Sequence, residues 1–334
     1  MAENRAAAIG GYFELELPNG PGLLHSDAYQ YQSARAALHA LLLAVRPKRV
    51  WVPAYICDAM LSPFYALGIA PVIYYLTESL DVEASVELRA NELLLYVNYF
   101  GLQRGNEINL MNRFSREQLI FDRSQAFFAE RESVLACIYS PRKFFGVADG
   151  GLLLTYARVG NPARAAALEE GMYAHLITRT VDSPEAGYTQ FQCAESLLAD
   201  TNPREMSALS KKTLIGIDYN HARQVRNENF TFLHQRLRQF NALPINLSAC
   251  NGPLCYPLLL KGKRLADFLI AQRVYLPTYW EDARVRAMAG SIEMVMIDHC
   301  LPLPCDQRYG KEEMVRVANL VLAGIADGLG HNSD

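Results

Sequence analysis

The stretch that decides the fold is Ser140-Pro-Arg-Lys143-Phe-Phe-Gly146-Val-Ala-Asp149-Gly150-Gly151, in which one lysine stands between two apolar runs. The runs at 134–139 and 152–155 predict buried strands, so the loop between them should hold Lys143 at a strand end. Desolvation there would lower the pKa of the amine and free its lone pair for Schiff-base chemistry with an aldehyde such as pyridoxal phosphate (PLP). By itself, however, the segment fits an ordinary solvated loop lysine better, because short motifs match by chance.

Length and charge restrict the class of protein. A chain of 334 residues predicts about two domains, and 51% hydrophobic with 20% charged residues is typical of a globular protein. The net charge of -3, with no basic run, argues against nucleic acid as a partner. The apolar run 36–45 comes nearest to a membrane span, but Arg46, Lys48 and Arg49 end it too early.

Neither the first residues of the chain nor its cysteines indicate a secreted, disulfide-bonded or metal-binding protein. Residues 1–11 lack a basic region followed by a sustained apolar run, so we expect no signal peptide and a cytoplasmic protein. Seven cysteines without a Cys-x-x-Cys pair form a poor disulfide framework. The spacings Cys250/Cys255 and Cys300/Cys305 allow a zinc interpretation, but only His299 lies nearby. We therefore predict buried free thiols and no metal.

Strand-like and helix-like segments alternate in the first half of the chain, which predicts an α/β fold with a mostly parallel sheet between helices. In such sheets ligands bind beyond the carboxyl ends of the strands. The helix-like segments are 31–45 and 57–67, and the strand-like segments are 49–52, 71–75, 93–97, 118–121, 134–139 and 152–155.

The pattern changes beyond Gly160. Long helical stretches are predicted at 162–177 and 206–240, and a polar loop at 188–203. The last part predicts a strand at 254–260 and helices at 265–272 and 314–325, a smaller α+β unit. We therefore expect a large α/β domain over residues 1–225 and a small C-terminal α+β domain over residues 226–334.

Asp122 directly follows an apolar strand, where a carboxylate is costly unless it is paired. In a PLP site the partner is the protonated pyridine nitrogen, whose charge makes the ring an electron sink. A helix N-cap, or an ion pair with Arg123 or Arg142, explains Asp122 at least as well, so both alternatives stay open.

A second anion site is indicated where Ser33-Ala34-Arg35-Ala36 opens a helix. A helix N-terminus presents free N–H groups and positive dipole charge, and therefore binds phosphate well. An N-cap role explains Ser33 fully. It does not explain Arg35, whose charge opposes the dipole of its own helix unless an anion lies nearby.

Six segments, in the same order over most of the chain, resemble motifs of the DegT-like sugar aminotransferase family of fold-type-I PLP-dependent enzymes. Each match alone is weak, and their common order distinguishes them from chance. Ser33-Ala-Arg35-Ala36-Ala-Leu-His39 is similar to Ser-Gly-Thr-Ala-Ala-Leu-His, Val50-Trp-Val-Pro53-Ala-Tyr55 to Val-Ile-Val-Pro-Ser-Phe, and Val97-Asn-Tyr-Phe-Gly101 to Val-His-Leu-Tyr-Gly. Asp122-Arg-Ser-Gln125-Ala126 resembles Asp-Ala-Ala-Gln-Ala, the segment from Lys143 to Gly151 resembles Lys-Asn-Leu-Gly-Ala-Gly-Glu-Gly-Gly, and Asn202-Pro-Arg204-Glu-Met206-Ser207 resembles Asn-Tyr-Arg-Met-Ser with one residue inserted.

The resemblance implies a role for each matching residue. Lys143 would be the Schiff-base lysine, Asp122 would face the pyridine nitrogen, and Gln125 would lie near the ring hydroxyl. The phosphate would contact Arg35 and Ala36, together with Asn202 from a second subunit. The resemblance therefore also implies a homodimer.

Three departures from the family pattern affect the cofactor site. Arg35 replaces a threonine in the phosphate turn, and Ile138 replaces a serine five residues before the lysine. Ser140 could substitute for that serine, as in the Ser-x-x-Lys of aspartate aminotransferase-like enzymes. The aromatic residue that stacks on the cofactor ring falls on Cys57, and Tyr55 could take its place.

The leading hypothesis is therefore a PLP-dependent aminotransferase with small-molecule substrates, a donor such as glutamate and a keto sugar carried on a nucleotide as acceptor. Ile138 and Arg35 favour the alternative, a non-catalytic or regulatory relative. A dehydratase is a third possibility, but loss of the lysine marks that branch of the family, and Lys143 is present. Tyr279 and Trp280 are interpreted as a packed aromatic pair beside a solvated Arg284, with substrate contact as the alternative.

Overall fold

The computed structural model describes residues 11–164, 170–260 and 264–329. Within these ranges the chain forms nine strands and ten α-helices. The strands are β1 (Tyr29–Tyr31), β2 (Arg49–Pro53), β3 (Val72–Tyr74), β4 (Glu92–Val97), β5 (Leu119–Arg123), β6 (Ala136–Tyr139), β7 (Gly151–Thr155), β8 (Tyr256–Leu259) and β9 (Cys300–Leu303). The helices are α1 (Ala34–Val45), α2 (Asp58–Ala66), α3 (Arg104–Arg113), α4 (Glu170–Val181), α5 (Tyr188–Leu197), α6 (Ala208–Ile215), α7 (Tyr219–Leu237), α8 (Arg264–Ala271), α9 (Ile292–His299) and α10 (Lys311–Ala326).

Seven strands form the central sheet, in the order β1-β7-β6-β5-β4-β2-β3. The pairs from β3 to β6 are parallel, and β7 and β1 join antiparallel at one edge. Strands β4, β5 and β6 are buried along their whole length, which explains their continuous apolar sequence. Asp122 pairs with both Val97 and Ile138, so these strands end side by side. The predicted α/β architecture is confirmed.

Gly151 brings strand β7 against the start of helix α1. A Cβ atom at this position would lie 2.1 Å from the Ser33 carbonyl carbon and 2.4 Å from the Ala34 nitrogen. Gly150, just before it, has φ +144°, and its amide donates to Gln32 O at 2.8 Å. The glycines after the lysine loop therefore allow the first turn of α1 to pack directly beside β7.

A second apolar cluster contains the antiparallel pair β8–β9 and the inner faces of α7, α8 and α10. This cluster confirms α+β architecture in the C-terminal part. The boundary between residues 225 and 226 stays a prediction, and α7 runs through it. The segment from Tyr279 to Ile297 packs instead on the core of the large sheet, through Ala283, Met296 and Ile297.

Several local predictions were wrong or incomplete. The predicted loop at 188–203 contains helix α5, which packs against α4, and four short elements, β1, α3, α9 and β9, were missed. Residues 165–169 of the helix predicted at 162–177 lie outside the described residues, as do residues 1–10, where no signal peptide is expected.

Two further predictions concern the cysteines and the apolar helices. All seven cysteines are free thiols, but Cys193 is exposed, against the expectation of burial. No helix in the described ranges is both long and apolar enough to cross a membrane.

Candidate active site

Lys143 lies at the end of β6, in the short 3₁₀ helix Pro141–Lys143. Its amide donates to Ser140 O at 3.3 Å, and the buried Phe144 and Phe145 follow it into the core. The side chain itself is exposed, and its ammonium lies 5.7 Å from the centre of the Trp280 ring. The predicted strand-end position is therefore right, but the expected burial is wrong, because the 3₁₀ turn sends Phe144 inward and leaves Lys143 facing outward.

Asp122 is buried at the end of the neighbouring strand β5. One carboxylate oxygen accepts from Ser124 N at 2.9 Å, a turn interaction within the loop after the strand. Neither proposed arginine pairs with Asp122, since Arg123 binds Glu107 and Arg142 binds Glu195. Among the described residues, Asp122 has no ion-pair partner.

The start of helix α1 has a hydroxyl cap and an unpaired cation. Ser33 Oγ accepts from Ala36 N at 3.2 Å, so the amide of Ala36 is already used and its methyl group is fully buried. Arg35 has neither a hydrogen-bond nor an ion-pair partner within the described ranges. Burial lowers the pKa of Arg35, while the nearby Cys57 and Glu195 oppose that shift.

Gln125 is fully buried in the loop after β5. Its Oε1 accepts from Phe100 N at 2.7 Å, which fixes the amide orientation. Its Nε2 is buried and has no hydrogen-bond partner in the part of the chain that the structure describes. A buried donor without an acceptor is costly, so this group is suited to a ligand acceptor.

Cys57, at the N-cap of α2, shows that these groups converge. Burial raises the pKa of its thiol, the positive charge of Lys143 opposes that shift, and the negative charges of Asp122 and Asp282 add to it. The same thiol influences the pKa of Arg35. Lys143, Asp122 and Arg35 therefore all lie within electrostatic reach of one side chain at the carboxyl ends of the strands.

Tyr55 cannot stack on a cofactor in this arrangement. Its ring is fully buried, stacked on Tyr99 with ring centres 5.5 Å apart, and its hydroxyl donates to Tyr279 O. The edge contact with Trp280, at 5.0 Å between ring centres, covers it further. This arrangement does not support the predicted stacking role of Tyr55, because a segment more than two hundred residues away in sequence covers its ring.

The remaining predicted site residues differ in their exposure to solvent. Ser140 is buried directly before the lysine turn, and Ile138 is fully buried beside Asp122 in the sheet. Asn202 is exposed, and its side chain donates to Asp200 Oδ1 at 2.8 Å. Its carbonyl accepts from Gln32 Nε2 at 2.6 Å, next to the α1 cap of the same chain. Contact with a partner's phosphate stays a prediction.

Sequence analysis missed the role of the segment 279–298, which covers the exit of strand β2. Arg286 binds Asp58 Oδ1 and the carbonyl of Ile56, and Asp282 accepts from the amide of Asp58. Glu293 accepts from Leu76 N at 2.7 Å. The acidic and basic residues of this segment gave no periodic signal, so only the folded chain reveals these contacts.

A cleft of about 580 Å³ opens at Lys143, between the lysine turn, helices α4 and α5, and the residues after β9. Among the described residues, most of the charged side chains that line this cleft are arginines. Arg142, Arg179, Arg226 and Arg308 line it, with Asp306 as its acidic member.

No family model matches the chain, and no curated protein matches it in sequence. Solved structures do match. A DegT/DnrJ/EryC1/StrS aminotransferase from Brucella abortus has 15% identity and a TM-score of 0.59, over 89% of this chain and 85% of the other. DesI, solved with its TDP-sugar product, has 14% identity and a TM-score of 0.61, over 90% and 81%. A protein from Streptococcus pneumoniae described as a sugar aminotransferase, in its PLP form, has 14% identity and a TM-score of 0.60, over 88% and 86%.

The sheet order and these likenesses show that the chain has the same α/β fold as these solved aminotransferases. More narrowly, it has the fold of the DegT/DnrJ/EryC1/StrS aminotransferases. The predicted resemblance is confirmed at the level of the fold.

Proposed function

We propose that this protein is a PLP-dependent aminotransferase. The observation that carries the proposal is the convergence at the strand ends of Asp122, Lys143 and Arg35, none of which has an ion-pair partner among the described residues. The unpaired Nε2 of Gln125 belongs to the same strand-end loops. A ring with a protonated nitrogen, a polar hydroxyl, an aldehyde and a phosphate would satisfy all four groups, so the residues present fit PLP.

Each side chain has a distinct task in this proposal. Asp122 would hold a proton on the ring nitrogen, and Gln125 Nε2 would donate to the ring hydroxyl. Arg35 and the free N–H groups of the first turn of α1 bind the phosphate. Bound PLP supplies an electron sink for the charge that develops on the substrate carbon. Lys143 would hold the aldehyde and, as general base and acid, would take up and release a proton at its amine nitrogen.

We propose glutamate as the amino donor and a nucleotide-linked keto sugar as the acceptor. Two findings support an anionic acceptor. DesI was solved with its TDP-sugar product, and most of the charged residues that line the cleft beside Lys143 are arginines. Guanidinium groups match the geometry of phosphate oxygens.

We propose a homodimer with the active sites at the subunit boundary, because Asn202 is exposed beside the α1 cap and is available to a second subunit. The nearby hairpin α4–α5 also exposes large apolar side chains, including Val181 at 83% and Ile177 at 66%. Such side chains favour a buried interface. Light scattering at micromolar concentration should give a dimer, and a PLP-binding monomer would refute this proposal.

Visible absorption of the purified protein tests the proposed function. With PLP we expect an absorption band that survives desalting, and addition of glutamate should convert it to the spectrum of the aminated cofactor. A band that glutamate leaves unchanged, with every donor tested, would support the non-catalytic relative. If no absorption band remains on the protein after it is incubated with millimolar PLP and desalted, both cofactor binding and transamination are refuted.

A further inference from the structure

The Trp280 indole is placed beside the proposed cofactor site. It lies 5.7 Å from the Lys143 ammonium and 5.0 Å from the Tyr55 ring, measured to ring centres. Tyr55 and Tyr99 beneath it are fully buried, whereas Trp280 keeps part of its surface exposed. This aromatic cluster therefore presents Trp280, and not Tyr55, toward the lysine.

Cys57 is the N-cap residue of α2 and packs, like Trp280, against the core of the large sheet. Its side chain is a small thiol at the position where the family resemblance places an aromatic ring. Asp282 follows Trp280 by two residues and binds the backbone amide of Asp58. The loop that carries Cys57 and the segment that carries Trp280 are thus joined directly at the site.

We propose that Trp280 forms the apolar face against which the ring of bound PLP packs, in place of the aromatic side chain that Cys57 lacks. The inference rests on the proposed function. Aromatic rings prefer offset stacking or edge contacts, and such pairs contribute beyond the area they bury. A face is needed here because the proposed contacts to the phosphate, the ring nitrogen, the ring hydroxyl and the aldehyde all lie at the edge of the ring.

The segment also holds the indole in place before any ligand binds. Arg286 binds the side chain of Asp58 and two carbonyls of the β2 exit, Ala54 and Ile56. The Tyr279 carbonyl accepts from Tyr55. Trp280 therefore lies between two anchored positions, and little conformational freedom is lost when a ring packs on it.

The test is the dissociation constant of PLP, measured by equilibrium dialysis and cofactor absorbance. Trp280→Leu keeps apolar volume but removes the ring, and we expect PLP to bind about tenfold more weakly. Trp280→Phe keeps a ring and should bind PLP within about threefold of the wild-type protein. Trp51→Leu is the matched control, because Trp51 is the other tryptophan and donates a hydrogen bond to Glu92, the first residue of β4. Its affinity should be unchanged.

A double variant and a fluorescence measurement test the role of Trp280 independently. In Trp280→Leu, the added change Cys57→Tyr should restore most of the lost affinity, which a merely structural role of Trp280 does not predict. In Trp51→Leu, the remaining tryptophan is Trp280, and PLP should quench most of its emission. This arm needs no change at Trp280, so it holds even if Trp280→Leu fails to fold.

The outcomes separate this inference from the proposed function. Wild-type protein that binds no PLP refutes the proposed function, and the inference with it. Wild-type protein that binds PLP, with equal or tighter binding by Trp280→Leu or with Trp280 emission unaffected by PLP, overturns the inference alone.

Discussion

The last two residues of strand β5 show two opposite uses of charge. Arg123 is fully buried and donates to both oxygens of Glu107 at 2.9 Å and to the Tyr139 hydroxyl at 3.0 Å. Asp122, one residue earlier, points to the other face of the sheet, where a single backbone amide is its hydrogen-bond partner among the described residues. The chain itself supplies the hydrogen-bond partners of Arg123, whereas most of the acceptor capacity of Asp122 is unused among the described residues.

The same contrast separates other charges of the molecule. Arg286 is bound by Asp58 and by backbone carbonyls, whereas Arg35 and Lys143 have no ion pair within the described ranges. Buried or clustered charge that the chain does not neutralise is costly unless a ligand completes it. The comparison therefore predicts that changes on one side of the sheet affect stability and changes on the other side affect cofactor chemistry.

Glu107→Gln should have the largest effect. It leaves the fully buried Arg123 without its counter-charge, and we expect a loss of about 3–5 kcal/mol in the free energy of unfolding. Urea denaturation measures this loss of unfolding free energy. Glu195→Gln, which removes the partly exposed partner of Arg142, is the control and should cost less than about 1 kcal/mol. If Glu107→Gln and Glu195→Gln lost the same free energy of unfolding, the proposed stabilising role of the buried Arg123–Glu107 pair would be contradicted.

Asp122→Asn should act on turnover and not on stability. A neutral amide cannot keep the ring nitrogen protonated, and loss of a charged partner of this kind costs a few kcal/mol, or about a hundredfold or more in rate. Steady-state transamination and urea denaturation of the same preparation measure both effects. Near wild-type turnover would refute the role of Asp122.

Arg35→Gln should weaken PLP binding without lowering the stability of the ligand-free protein. Its effects should be smaller than those of Glu107→Gln and Asp122→Asn. The charge opposes the dipole of α1, so the ligand-free variant should be as stable as the wild-type protein or more stable by about 0.3–1 kcal/mol. The lost charge-assisted hydrogen bond to phosphate should weaken PLP binding by about tenfold or more. Dialysis and thermal unfolding measure the two quantities, and a destabilised protein with unchanged affinity would contradict the assignment.

Sequence predicted the parts of this molecule that local pattern determines. Strands buried on both faces read as continuous apolar runs, so β4 to β6 and the strand-end positions of Asp122 and Lys143 could be placed. Helix α5 was missed because its sequence is polar and its apolar side chains, such as Tyr188 and Phe191, are exposed. The burial of Tyr55 and the exposure of Lys143 depend on a distant segment and on the direction of one turn, neither of which leaves a local pattern.

The most direct test of the account is the identity of the residue that carries PLP. Borohydride reduction of the PLP-loaded protein, followed by proteolysis and mass spectrometry, should place the pyridoxyl group on the peptide that contains Lys143. Lys143→Ala should lose both the adduct and transamination, while Lys211→Ala, which removes another lysine from the same protein, should keep both. An adduct on Lys211 or Lys212, or no adduct in PLP-saturated buffer, would contradict the assignment of Lys143.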